Sequence, residues 1–171
     1  MTASLTLHLE DNAVISSCGQ YRYLLTRQVG PGSRTATFIM LNPSAADATN
    51  DDPTIRRCIG FARQWGRGRL AVLNLFAVRA TDPADMKRAV DPVGLENRDW
   101  FDQMLSSPDA GPVICAWGVH GEHRGQDVTV LVWLEGYGIR PLALGVTRDG
   151  HPKHPLYLPK SVEPMPFAGR G

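Results

Sequence analysis

Asn42, Asn74, Trp117-Gly118 and His154 are the residues whose types and settings could do chemistry. Each follows an apolar run that reads as a core strand. The clearest case is Thr37-Phe38-Ile39-Met40-Leu41-Asn42-Pro43-Ser44, a continuous apolar stretch entering a polar turn. Such a run fits a strand buried on both faces, as in the middle of a parallel sheet. Pro43 has no amide hydrogen and biases Asn42 away from helix, so the strand must end there. A carboxamide at that point offers one acceptor oxygen and two donor hydrogens, enough to orient a water or read the edge of a base. The plainer alternative is that Asn-Pro-Ser is only a turn.

The elements that must position these groups alternate. Residues 21–29 alternate as a strand, residues 30–33 (Gly-Pro-Gly-Ser) form a turn, and residues 35–41 form the next strand. The two strands are expected to make an antiparallel hairpin whose second member enters the main sheet. A helix is predicted over residues 53–65, with Asp52 as N-cap, Pro53 in the first position and Gly66 and Gly68 as the stop. Ile55, Ile59, Phe61 and Ala62 give it an apolar face. Residues 70–77 read as a buried strand, 97–105 as a helix, 113–116 as a third core strand and 142–146 as a last strand. Residues 128–137 are predicted helical despite their valines, because the chain must cross back over the sheet. Residues 1–20 are expected to hold a short strand or a loosely held start, and the proline-rich tail from Pro159 an irregular end.

Strands alternating with helices imply a mostly parallel sheet with helices on both faces. If the strands are parallel, all four polar marks gather at one sheet edge, where open α/β sheets build their sites.

The 171 residues fit one domain, 1–171, and 43% hydrophobic with 20% charged content is that of a globular protein. No apolar run approaches the ~18 residues needed to span a bilayer. Residues 1–10 lack a basic region followed by an apolar core, so no secretory signal is expected and the location is read as cytoplasmic. Cys18, Cys58 and Cys115 are odd in number and far apart. They read as reduced thiols, Cys115 in the core, with no disulfide frame or metal site. The net charge of +1 does not announce a nucleic-acid binder, but Arg56, Arg57, Arg63, Arg67 and Arg69 fall in one short segment. They can hold phosphates or form a solvated face with ordinary ion pairs.

Here the motifs resemble the uracil-DNA glycosylase superfamily. Met40-Leu41-Asn42-Pro43-Ser44 is similar to that family's Gly-x-Asn-Pro-Gly/Ser motif. Val72-Leu73-Asn74 with Val78-Arg79-Ala80 resembles its strand ending in Asn and the Val-Arg beyond it, one residue tighter than in the uracil-specific branch. Val113-Ile114-Cys115-Ala116-Trp117-Gly118 resembles its Leu-Trp-Gly strand, and His154-Pro155-Leu156 its final His-Pro-Ser-Pro-Leu. The likeness covers about residues 36–160 in order. The fuller pattern, through Asp-Pro-Thr-Ile-Arg-Arg-Cys, Asn-Leu-Phe-Ala and His-Pro-Leu-Tyr-Leu, resembles the bacterial DUF1643 type, taken as a branch of the same fold.

That resemblance implies a three-layer α/β/α sandwich, here with an N-terminal antiparallel hairpin. It implies a monofunctional DNA glycosylase that flips a damaged or modified pyrimidine from DNA and leaves an abasic site. Asn42 would orient the attacking water, and His154 would donate to the base oxygen as it becomes anionic. Asn74 would read the base edge, with Ser44, Phe76 and Trp117 around the base. Arg56, Arg79, Lys153, Leu156 and Tyr157 would meet the DNA, Leu156 and Tyr157 as wedges, and Ser44 and Thr49 would touch phosphate. Ser44 stands where the uracil-specific branch has a Tyr that blocks bulk at C5, so a larger pyrimidine, including hypermodified phage bases, would fit unless the loop runs differently or Arg56 or Phe76 fills the space. Excision of such bases would be antiviral defence; excision of uracil or deaminated bases would be repair. His154 is favoured over His151, which reads as a surface histidine, and His120 and His123 read as exposed loop residues. For Arg79 an ion pair with Asp82 competes with DNA contact. No metal or organic cofactor is expected, and the protein is read as a monomer. Two other readings stay open: a catalytically silent nucleic-acid-binding module, and an N-glycosidase acting on free nucleosides or nucleotides.

Overall fold

A computed structural model of the chain describes residues 11–170. Its centre is a seven-stranded sheet in the order β1-β2-β4-β3-β5-β6-β7. The strands are β1 (Asn12–Ile15), β2 (Arg22–Gln28), β3 (Thr35–Met40), β4 (Arg69–Asn74), β5 (Val113–Cys115), β6 (Leu142–Ala143) and β7 (Met165–Pro166). The run β4-β3-β5-β6 is parallel throughout, and β2 and β7 run antiparallel to their inner neighbours. Among the described residues four α-helices accompany it: α1 (Pro53–Gln64), α2 (Pro83–Arg88), α3 (Asn97–Leu105) and α4 (Gln126–Gly136).

Side-chain alternation along β3 and β4 divides the core. Phe38, Met40, Leu70 and Val72 pack with Ile55, Cys58, Phe61 and Ala62 of α1. Ile39, Ala71 and Leu73 face the other way, onto Met86 of α2, Phe101 and Met104 of α3, and Val130 and Leu134 of α4. The unbroken apolar runs therefore follow from burial on both faces. Asp52 caps α1, its carboxylate accepting from the Ile55 amide at 2.9 Å, and Pro53 occupies the first turn. Helix α4 carries valines because only one side of it meets the sheet: Val130 is buried, whereas Val128 and Val132 are exposed.

The expected hairpin of residues 21–29 with 35–41 does not form. β4 lies between β2 and β3 and pairs with both. Its run Leu70-Ala71-Val72-Leu73 is fully buried, so it needs partners on both edges, and the turn at 30–33 steps over it. Gly68 makes the step possible: a Cβ there would stand 2.4 Å from the Gly32 carbonyl oxygen. The antiparallel N-terminal hairpin is instead β1 with β2. The part of the expected first strand in residues 1–10 lies outside the described residues. The tail is also not wholly irregular, because β7 returns to pair with β6 and brings Phe167 against Trp117, rings 6.0 Å apart. The last parallel strand is short, two residues of the predicted five.

Among the described residues no helix is long and apolar enough to cross a membrane. The cysteines are all free, Cys18 exposed and Cys58 and Cys115 buried; burial pushes both buried thiols up.

Candidate functional site

A cavity of about 640 Å³ opens at the carboxyl edge of the parallel strands. Met40 to Asn42 after β3, Asn74 at the end of β4, Trp117 and Gly118 after β5, and Thr147 beyond β6 all line it. This is the edge at which α/β sheets bind ligands.

Asn42 is held by main chain. Its Nδ2 donates to the Ala80 carbonyl at 2.8 Å and to the Pro43 carbonyl at 3.1 Å. Both partners are acceptors, so the amide orientation is set, and what remains for a ligand is the acceptor Oδ1. Parallel pairing of Met40 with Asn74, continued by bonds from the Leu75 and Phe76 amides to Met40 and Leu41, sets Asn42 just beyond Asn74 along the same sheet edge.

Asn74 is 1% exposed, yet neither its Oδ1 nor its Nδ2 has a partner in the protein. Buried polar atoms are paired in the great majority of cases. An unpaired carboxamide on a cavity wall is a ready hydrogen-bonding edge with both donor and acceptor. Asn97, buried at the start of α3, steadies it from behind by donating from Nδ2 to the Asn74 carbonyl at 3.0 Å.

His154 lies across the cavity, half-buried. Its Nδ1 accepts from the Leu156 amide at 3.2 Å, capping the 3₁₀ turn Pro155–Tyr157. A ring that accepts at Nδ1 carries its proton on Nε2, which is then a donor. Burial lowers its pKa, opposed by the charge of Asp52, so the neutral form dominates at pH 7. Arg57 on α1 anchors this turn by donating to the carbonyls of Leu158 and, at 3.4 Å, Pro155. The Gly118 amide, bonded to the Pro152 carbonyl at 2.9 Å, anchors it to the end of β5.

The cavity thus brings together seven of the expected residues: Asn42, Ser44, Asn74, Trp117, Lys153, His154 and Tyr157. Tyr157 stands at its edge and is 88% exposed. It does not bring in Phe76, which is fully buried with its ring 5.7 Å from that of His123. The expectation for Phe76 is therefore corrected: it is core, because its residue follows the strand end on the face covered by α2 and α3. Arg56, Arg79 and Leu156 lie outside the lining. Arg56 is exposed and donates to the Asp51 carbonyl at 2.8 Å. Arg79 donates to the Gly19 carbonyl at 3.3 Å, not to Asp82, whose carboxylate caps α2. The Thr49 amide is taken by Asp47 at 3.0 Å.

Three histidine expectations also change. His151 is buried, its Nε2 3.9 Å from Glu122, and it does not line the cavity. His120 does line it, and His123 is half-buried. Arg22, Thr54 and Thr147 are lining residues that no sequence motif marked, and Asp52, expected as the N-cap of α1, lines the cavity as well. The signal for Arg22 was a charge inside an otherwise inward-facing strand. Among the described residues no group of three or more His, Cys, Asp or Glu is placed to hold a metal ion.

Fold and site define a mixed α/β protein with a largely apolar cavity, studded with polar side chains, at the carboxyl edge of its parallel strands. The family model described as "Protein of unknown function (DUF1643)" matches residues 22–156, and the chain belongs to that family. The match runs from Arg22 through His154. No curated protein and no solved structure matched the chain.

Proposed function

We propose that the protein is a monofunctional DNA glycosylase with the three-layer uracil-DNA glycosylase-like architecture, excising a damaged or modified pyrimidine. One observation carries the reading: the free acceptor of Asn42, the unpaired carboxamide of Asn74 and the Nε2–H of His154 converge on one cavity. The reaction needs those capacities. A flipped base enters the cavity and Asn74 pairs with its edge. The bond from C1′ to the base nitrogen breaks with its electron pair going to the base. His154 donates to the base oxygen as negative charge gathers there. Asn42 Oδ1 aligns a water on the oxocarbenium-like sugar carbon, and the water's proton is released to solvent, since a carboxamide is no base. The small Ser44, and a wall that Phe76 and Arg56 do not reach, support a base larger than uracil. Tyr157, exposed at the rim, supports a wedge role, with Leu156 beside it and Lys153, Arg56 and Arg79 toward the phosphates.

The test is a panel of DNAs carrying uracil, hypoxanthine, 5-hydroxymethylcytosine, its glucosylated form, 5-carboxycytosine and normal bases, with released base read by mass spectrometry. Release of one base, with an alkali-labile site and loss in Asn42→Ala and His154→Ala, is the expected result. Tight DNA binding without release from any base would replace it with a binding module. Turnover of free nucleosides alone would make the protein a monomer hydrolase.

A further inference from the structure

Two arginines of β2 are buried, and their surroundings differ. Arg27 is fully engaged: Nε pairs with the Asp51 carboxylate at 2.8 Å, and the other nitrogens donate to the carbonyls of Asn12, Thr26, Asp47 and Asn50. Arg22, 2% exposed, lines the cavity. Its Nη1 donates to the Ala46 carbonyl at 2.8 Å, its Nε is buried without a partner in the protein, and among the described residues no carboxylate pairs with it. Asp52 and Asp47 act on it from farther off, too weakly to offset burial, which pulls its pKa down to about 10. A buried guanidinium with unspent donors is costly unless a charged partner meets it. β2 runs antiparallel to β4, so the start of β2 lies at the end of β4: the Arg22 amide bonds to the Ala77 carbonyl at 2.9 Å, and Arg22 and Asn74 line the same cavity.

We propose that Arg22 forms an anion subsite in the cavity that Asn74 also lines, and that the base taken by the cavity bears an acidic substituent, a carboxylate or a phosphate. This rests on the reading of the cavity as a base pocket and names the class of base. The guanidinium fork matches both oxyanions, and the tether to Ala46 holds its head in place. Asn74 then reads the ring edge while Arg22 neutralises what the ring carries. An uncharged substituent of equal size would leave the buried charge unmet.

The test is calorimetric binding of free bases to the full chain. 5-Carboxyuracil is expected to bind at least about tenfold tighter than 5-hydroxymethyluracil, a neutral base of similar size. Arg22→Gln should bring that ratio toward one, and Arg22→Lys should restore part of it. Equal binding of the two bases to the unaltered protein overturns the proposal, with no reliance on a variant that folds. So does a gain for uridine 5′-monophosphate over uridine with none for 5-carboxyuracil, which puts the anion on the sugar side. An acid preference without base release from any DNA would keep the subsite and reject the glycosylase. Release of neutral bases with no acid preference would do the reverse.

Discussion

The Nδ2 of Asn42 donates to the carbonyl of Ala80 at 2.8 Å, and the Ala80 amide returns a bond to the Pro43 carbonyl at 3.0 Å. This reciprocal link ties the turn after β3 to the segment after β4. It turns a side chain on a loop into one with a single orientation, and the same loop–loop contact continues at Ser44 and Thr81, 3.4 Å apart. Preorganised acceptors are worth most when the scaffold holds them before the substrate arrives.

Asn42→Ala should therefore lower the single-turnover rate of base release by about 100-fold or more, the range for losing one positioned group. Stability should fall by about 1–3 kcal/mol, the value of the two lost hydrogen bonds. Asn42→Asp keeps an acceptor oxygen and should be faster than the alanine variant. Equal rates for all three proteins would remove Asn42 from the chemistry.

On the proposed mechanism, His154 should give activity a pH dependence whose sign follows from its neutral form. Burial holds its pKa below the usual histidine value, against the pull of Asp52. The working form is neutral, so the rate should be flat at and above pH 7 and fall as the imidazole protonates. Stability should move the same way. An unfolded histidine titrates near about 6.5, so just below that pH the unfolded chain binds more protons than the native one, and stability declines on acidification. The decline from this residue ends below its folded pKa. His154→Gln should flatten both profiles; a rate that rises on acidification would show that imidazolium is the active form.

Arg27 tethers the loop before α1. Replacing it with Met leaves the Asp51 carboxylate, 30% exposed, and several carbonyls short of a donor, at a cost of about 1–3 kcal/mol. The urea midpoint should fall accordingly. A loss within about 0.5 kcal/mol would mean that the loop is held by its Asp47 turn alone.

Tyr157 projects from the cavity rim with its ring in solvent. Tyr157→Ala should weaken binding of a target duplex by about 1–3 kcal/mol, the worth of a base–aromatic contact, measured by fluorescence anisotropy. Thermal stability should be nearly unchanged. Unaltered affinity would exclude the ring from the DNA interface.

The sequence by itself determined the elements with strong local signals. Helix α1 was legible from Asp52-Pro53 and its apolar face, and helix α3 from its span to the residue, because caps and periodicity are written within a few residues. The cores of β3, β4 and β5 were legible because a strand buried on both faces must be apolar at every position. The convergence of Asn42, Asn74, Trp117 and His154 followed from those strands being parallel.

Only the tertiary structure decided pairing and partners. A Gly-Pro-Gly-Ser turn allows a hairpin or a step across a third strand, and the demand of β4 for two neighbours chose the step. Phe76, His120 and His151 each went to the opposite environment from the one expected, since a residue past a strand end is placed by long-range packing rather than by its neighbours in sequence. The same holds for Arg22 and Arg27. Within one strand they look alike, but Arg27 meets a carboxylate and a ring of carbonyls, while Arg22 is left with donors facing a cavity. Electrostatic compensation depends on what lies within a few ångströms in space, and no local pattern records it.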